Sequence, residues 1–387
     1  MSGRSSQAEP RKKTTARRAF FAAMLILGAC VPETLSEAIM VLEDIAAGDA
    51  NSDLKTTTPM PTRLAVNVPG GSASVAADLY EPNQPVGGNL VLVPGFTPHG
   101  KDDRRVVAFA QSFARARFRV LVPDVPGARL MHVGLEDARI ITDAATYLSD
   151  QYPIDGESGT GLLAVSYAVG PTILAAIDPR LKNRIDFLVG IGGYHDTEAV
   201  TTFVTTGHFR EPGAEDWMVT QPDAAAKWFF LKGNIGRLPN PIDRAALSEM
   251  AERKLGQSNA STEDLVRRLS PNALPIYELL NNTAPERTEE LVAALPDTVK
   301  AGMSDLTLKG RDLMGLEGKL ILIHGREDTM IPWTESMALA ATVADTQLFL
   351  IDGFSHINAG DVGPIGKAQL AQAVQAVLER RTPIDAH

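Results

Sequence analysis

The sequence predicts an α/β fold, a mostly parallel eight-stranded sheet with helices on both faces and an inserted helical cap. Short apolar segments alternate along the chain with segments of helical period. Segments such as "LVLV" and "LILI" are apolar without alternation, which is typical of parallel strands covered on both faces. A third observation is the long region 197–316, which has helical patterns and no convincing strand.

Eight segments have the composition of strands. They are 63–69, 74–81, 89–94, 119–123, 161–165, 185–192, 319–324 and 347–352. Helical spacing between them places apolar side chains on one face, for example Ile141 and Leu148. We therefore expect a core formed by 62–196 and 317–387, interrupted by a cap at 197–316.

The predicted cap is rich in aromatic residues, including Trp217, Trp228, Phe229 and Phe230. These side chains could line an apolar pocket above the sheet. They could equally form the small core that a cap of this size needs. The sequence leaves both interpretations open.

The composition bounds the function. The chain has 387 residues and a net charge of −10, which argues against a general affinity for nucleic acid. No CxxC pair, HExxH motif or Walker-type glycine loop is present, so metal and nucleotide chemistry have no motif support. We predict no cofactor and no metal.

The N-terminus has the pattern of an export signal. A basic segment precedes an apolar run over 19–29, which is too short to span a bilayer but suits a signal peptide. The run ends in Leu-Gly-Ala before Cys30 and resembles the lipobox of bacterial lipoproteins, while "ARRAFF" resembles a twin-arginine signal. We expect a signal peptide at 1–29 and a lipid anchor on Cys30 at the bacterial cell envelope, on the periplasmic side or the surface.

An uncleaved or ordinary secretory signal with a chance cysteine is the alternative. Six Lys or Arg residues and one Glu precede Cys30, so cleavage would leave a more acidic protein. An acidic domain is poorly suited to lie on anionic lipid. The anchor would then be the contact with the membrane, and we interpret 30–61 as its tether with a short helix.

Four predicted strands end in groups that can carry chemistry. "LVLV" leads into Phe96, "GLLAV" into Ser166, "LILIHG" into Asp328 and "QLFLIDG" into His356. Ligands of open α/β sheets bind at the carboxyl ends of the strands. An imidazole can activate a serine hydroxyl when a carboxylate fixes its tautomer, so these ends predict a nucleophilic site.

The order serine, acid, histidine in this strand context resembles the α/β-hydrolase superfamily over residues 62–382. The resemblance implies that Ser166 is the nucleophile, His356 the general base and Asp328 the orienting carboxylate. It also implies an oxyanion hole formed by the backbone N–H groups of Phe96 and Tyr167.

The serine motif departs from the G-x-S-x-G pattern of that superfamily. Ala164 and Ala168 occupy the glycine positions. Alanine adds only a methyl group at each place, so the turn is still allowed. Ser304 and Ser355 each follow a Gly-x pair but lack the strand-to-helix setting.

Asp196, which follows the strand before the cap, is the rival for the acid, since some members of this fold draw the acid from there. The predicted function is a serine hydrolase, with carboxylesterase or lipase-like activity, that cleaves a small-molecule carboxylic ester with an apolar portion, and one alternative remains open. That alternative is a non-catalytic, lipid-anchored binding protein on a degenerate hydrolase scaffold, which the alanine-flanked serine would support.

Overall fold

An eight-stranded sheet forms the centre of the molecule, in a computed structural model that describes residues 32–71, 73–132, 134–154, 159–356 and 362–382. A second sheet is a ribbon of two short strands. The strands are β1 (Thr62–Val68), β2 (Val75–Glu81), β3 (Gly88–Val93), β4 (Phe118–Pro123), β5 (Thr160–Val165), β6 (Ile185–Ile191), β7 (His208–Phe209), β8 (Met218–Val219), β9 (Leu320–Gly325) and β10 (Gln347–Ile351).

The sheet has the strand order β1-β2-β4-β3-β5-β6-β9-β10. Strand β2 is antiparallel to both β1 and β4, and the remaining neighbours pair in parallel. Each predicted strand segment of the sequence coincides with one strand of this sheet. The predicted α/β class is confirmed, and the carboxyl ends of β3, β5, β6, β9 and β10 meet at one edge of the sheet.

Helices surround the sheet. They are α1 (Glu33–Ala47), α2 (Asp53–Thr57), α3 (Arg104–Arg115), α4 (Pro126–Leu130), α5 (Leu135–Gln151), α6 (Val169–Ala176), α7 (Thr197–Thr206), α8 (Ala226–Ile235), α9 (Pro241–Gly256), α10 (Glu263–Val266), α11 (Leu274–Leu280), α12 (Thr288–Ala293), α13 (Asp297–Leu306), α14 (Thr334–Thr342) and α15 (Pro364–Leu378).

Both faces of the sheet are buried because successive side chains of a strand point to opposite sides. On β3, Val91 and Val93 pack in the cluster with α5, α6 and α14. Leu90 and Leu92 pack in the other cluster, with α1, α3 and α15. The continuous apolar sequence of the central strands thus reflects two hydrophobic cores, one on each face.

The segment between β6 and β9 forms a cap of helices α7 to α13, in addition to the ribbon β7–β8. Trp228 belongs to a hydrophobic core within the cap, while Phe229 and Phe230 line a pocket against the sheet edge. The aromatic residues therefore serve both of the purposes that the sequence left open.

The N-terminal helices differ from the predicted tether. Ala38, Val41 and Leu54 are at most 1% exposed and pack in the core that contains α15. Helix α2 begins after Ser52, whose Oγ accepts a hydrogen bond from the N–H of Lys55 (3.1 Å). Hence 33–57 is an integral part of the domain, because three of its apolar side chains are buried against the core.

The predicted signal peptide and Cys30 lie outside the described residues. Within the part of the chain that the structure describes, no helix is both long enough and apolar enough to span a membrane. An anchor on Cys30 stays a prediction.

Candidate active site

Ser166 lies at the turn between β5 and α6. Its φ angle is +60°, in the left-handed region that residues with a side chain rarely adopt. A single helical turn, Ser166–Ala168, follows at once and continues into α6. The backbone strain is therefore at the serine itself, where a strand must turn sharply into a helix.

The three side chains that the sequence singled out form one hydrogen-bonded row. Nε2 of His356 lies 2.8 Å from Oγ of Ser166, and Nδ1 of His356 lies 2.7 Å from Oδ2 of Asp328. A neutral imidazole satisfies both contacts when Nδ1–H donates to the carboxylate and Nε2 accepts from the hydroxyl. This is the geometry that a serine, base and carboxylate need for nucleophilic catalysis.

Asp328 is held as a charged group although it is only 3% exposed. Its Oδ1 accepts the N–H groups of Met330 (2.7 Å) and Ile331 (3.0 Å). Burial raises the pKa of Asp328, but the donors of His324 and His356 outweigh that effect and hold the pKa well below its ordinary value. The carboxylate therefore stays ionised over the whole range in which an imidazole titrates.

His324 is a neighbour of the acid that the sequence did not single out. It is fully buried on β9, its Nε2 lies 3.0 Å from the carbonyl oxygen of Ile331, and its Nδ1 lies 2.7 Å from Oγ of Ser336. Nε2 is also 3.3 Å from Oδ2 of Asp328. The ring ties the turn that carries Asp328 to strand β9, and the "HG" before the turn is the only sequence signal for it.

Asp196, the rival for the acid, does not reach His356. It begins α7, where its Oδ1 accepts the N–H of Glu198 (2.9 Å), and its Oδ2 pairs with Nζ of Lys309 (2.7 Å). Of the two carboxylates left open by the sequence, the structure places Asp328 against the histidine.

Glycines around the alanine-flanked turn relieve the crowding there. A Cβ atom at Gly95 would lie 3.3 Å from Cβ of Ser166, and one at Gly193 would lie 2.6 Å from Cβ of Val169. At Gly170 a Cβ would collide with the hydroxyl of Tyr194. The close approach that this turn requires is thus provided by Gly95, Gly170 and Gly193.

Phe96, which follows β3, and Tyr167, which lies in the serine turn, are next to each other. Their rings stack with centroids 3.9 Å apart and an interplanar angle of 9°. Among the described residues the N–H of Phe96 has no backbone acceptor, and that of Tyr167 is in the first turn of a helix, where N–H groups lack helical acceptors. These N–H groups are available to an oxygen atom bound beside Ser166.

An apolar pocket of about 130 Å³ opens beside Ser166. The cap contributes helices α7, α8 and α13, with Val200, Phe229 and Leu306 among the lining residues, and the sheet edge contributes Phe96 and Met330. Over the described ranges, the lining includes no Lys, Arg or His. The pocket is therefore lined mainly by apolar side chains, and its volume is about that of a cavity that holds benzene.

Among the described residues, no three His, Cys, Asp or Glu side chains are grouped so that they could hold a metal ion. The predicted absence of a cofactor stays a prediction.

Comparison with known sequences gives one short match. The 2-hydroxymuconate semialdehyde hydrolase of Pseudomonas putida is 32% identical over 72 residues, which are 19% of this chain and 26% of the relative. The match thus spans about a quarter of the relative's length. No family model matches the sequence.

Comparison with solved structures covers most of the chain. A Legionella pneumophila protein assigned as a hydrolase has a TM-score of 0.54 at 12% identity, over 86% of this chain and 95% of that one. Dienelactone hydrolase from Anabaena variabilis has a TM-score of 0.44 at 14% identity, over 84% and 100%. Together with the strand order, the Legionella likeness confirms the α/β-hydrolase fold that the sequence predicted.

Proposed function

We propose that this protein is a serine hydrolase that cleaves carboxylic esters through an acyl-enzyme. The observation that carries the proposal is the hydrogen-bonded row from Ser166 through His356 to Asp328, with contacts of 2.8 and 2.7 Å. The fold supports it, because the row lies at the carboxyl ends of strands, where α/β sheets bind ligands.

In the first half-reaction, Oγ of Ser166 bonds to the ester carbonyl carbon while Nε2 of His356 takes the hydroxyl proton. The N–H groups of Phe96 and Tyr167 stabilise the negative oxygen of the tetrahedral intermediate. The bond from carbon to the alcohol oxygen then breaks, and the imidazolium gives its proton to the leaving alcohol. Asp328 stabilises the imidazolium throughout and keeps its own charge.

In the second half-reaction, His356 takes a proton from water as the water oxygen bonds to the acyl carbon of the acyl-enzyme. The bond from that carbon to Oγ breaks, and Oγ of Ser166 recovers the proton. A carboxylic acid leaves, and the free serine is restored.

The pocket supports an uncharged substrate with a compact apolar group. The Pseudomonas putida relative is named for 2-hydroxymuconate semialdehyde, and a muconate carries a carboxylate group. A carboxylate transferred into the pocket of this chain would meet a mainly apolar lining, with Thr197 and Asn234 among its few polar side chains and no cation in the described lining. Burial of a charge without an opposite charge is costly. We therefore propose neutral esters in place of that substrate.

Labelling of the purified full-length protein with a fluorophosphonate, followed by peptide mapping, tests the proposal. We expect a single adduct on Ser166, which is absent in Ser166→Ala and greatly slowed in His356→Ala. A folded protein that forms no adduct would favour the alternative, a binding protein on a hydrolase scaffold. A panel of matched ester, thioester and amide substrates then separates the ester proposal from its neighbours.

Export and lipidation at Cys30 are a separate proposal, supported by the residues of the N-terminal segment. Metabolic labelling with a palmitate analogue should mark the wild type and not Cys30→Ser. Equal labelling of both proteins would refute the anchor and would leave the serine hydrolase proposal unaffected.

A further inference from the structure

The chain crosses twice between core and cap, and both crossings meet beside the pocket. The chain enters the cap after β6 and returns after α13. The carbonyl oxygen of His195 accepts the N–H groups of Leu308 (2.9 Å) and Lys309 (3.1 Å). The entering and returning segments, residues 194–197 and 307–309, are thus one hydrogen-bonded unit, which we call the cap stem.

A buried carboxylate of the core helix α14 holds this stem. Oε2 of Glu335 accepts the N–H groups of His195 (2.9 Å) and Asp196 (2.7 Å), and the residue is only 4% exposed. On the outer side of the stem, Lys309 pairs with Asp196. Two successive backbone N–H groups of the stem therefore depend on one side chain of the core.

The burial of Glu335 has a cost in free energy, which its hydrogen bonds to the stem offset. Burial raises the pKa of Glu335, the N–H donors of Asp196 and His195 lower it, and the net result is a pKa of about 7. The charge of Asp196 adds to the rise, and that of Lys309 opposes it. A buried carboxylate without a directly bonded cation destabilises a fold. Without the Glu335 carboxylate, however, the backbone N–H groups of His195 and Asp196 would lose this acceptor.

The stem also forms part of the pocket wall. Tyr194 and Thr197, which flank the two clamped residues, both line the pocket. The hydroxyl of Thr197 donates to the carbonyl oxygen of Met303 on α13 (3.2 Å), and Met303 lines the pocket as well. A shift of the stem would therefore move residues from two sides of the pocket together.

We propose that Glu335 is a positioning residue, which fixes the cap stem to the core and thereby sets the wall of the substrate pocket. Its effect on substrate choice rests on the proposed function, whereas its effect on the stem does not. Glu335 does not touch the reacting atoms and acts through the backbone of His195 and Asp196.

Hydrogen exchange of the intact protein tests the clamp without any assay of activity. In Glu335→Leu, which keeps the side-chain volume and removes the acceptor, the amides of Leu308 and Lys309 should exchange at least about tenfold faster. These amides donate to the carbonyl oxygen of His195 and not to Glu335. Loss of the Glu335 hydrogen bonds without movement of the stem would therefore leave their exchange unchanged. Unchanged protection at both amides would overturn the proposal.

Two further variants sharpen this test. Glu335→Gln keeps an acceptor oxygen at the same position, and we expect it to retain most of the protection at Leu308. Asp243→Ala is the matched control, since Asp243 is also buried and accepts a backbone N–H, that of Ser270 (2.8 Å), but lies inside the cap. Where Glu335→Leu does not fold, Glu335→Ala takes its place.

Substrate choice provides the second readout. The ratio of kcat/KM for a hexanoate ester to that for an acetate ester should fall at least about tenfold in Glu335→Leu, mainly through KM, because the larger group depends on the pocket wall. Asp243→Ala should keep the wild-type ratio. An unchanged ratio in Glu335→Leu would refute the effect on the pocket. If the wild type forms no fluorophosphonate adduct, the proposed function fails while the exchange result still decides the clamp.

Discussion

Replacement of Glu335 by glutamine should make this protein's stability less dependent on pH. The ordinary pKa of a glutamate is 4.5, and burial raises that of Glu335 to about 7. A carboxyl group with a raised folded pKa stabilises the fold fully below pH 4.5, and this contribution is lost as the pH rises through 7. Glu335→Gln has no such proton to lose.

The magnitude follows from the shift. At 1.36 kcal/mol for each pKa unit, the change from 4.5 to about 7 corresponds to about 3 kcal/mol. Between pH 4.5 and pH 8, the free energy of unfolding of the wild type should therefore fall by about 3 kcal/mol more than that of Glu335→Gln. Asp137, whose pKa burial raises to about 6, is present in both proteins and cancels in the comparison.

The assay is urea unfolding followed by tryptophan fluorescence at several pH values, with linear extrapolation to water. The two curves of unfolding free energy against pH should diverge from about pH 5 upward and run parallel above about pH 8. Parallel curves over the whole range would refute the reasoning. So would a difference of the opposite sign, with Glu335→Gln losing more stability than the wild type as the pH rises.

Three other predictions concern the site, the pocket and the N-terminal helices. Asp328→Asn should lower kcat for an ester about 10⁴-fold, whereas Asp196→Asn should cost less than about tenfold; similar losses would contradict the assignment of the acid. Phe229→Trp should shift the preferred ester toward shorter acyl chains in a kcat/KM series, and an unmoved optimum would place the acyl group elsewhere. Leu54→Ala should cost about 2–5 kcal/mol in urea unfolding, while a loss near zero would restore the interpretation of this segment as a tether.

Much of the geometry of the candidate site could be predicted from local patterns. Strand ends are visible in the sequence because buried parallel strands are apolar without interruption, and the residue after each strand must lie at the edge of the sheet. That reasoning singled out Ser166, Asp328 and His356, which the structure places in one hydrogen-bonded row. The cap was also visible, as a long region in which strand patterns are missing.

Contacts between distant segments could not be predicted in this way. The sequence left Asp196 and Asp328 as rivals, since both follow strands, and only the contact of His356 with Asp328 separates them. The sequence also has Ala164 and Ala168 at the glycine positions around Ser166, without showing how the turn is accommodated. Gly95 and Gly193 make the room there, and each belongs to a different strand end.

By itself, the sequence determined the class of fold, the strands and the residues at their ends, because these follow from hydrophobic periodicity along a short stretch of chain. The tertiary structure alone decided which carboxylate meets the histidine, how the N-terminal helices pack and where Glu335 holds the cap. These depend on which segments lie side by side in space, and a buried polar group has no periodic signal in the sequence that reveals its partner.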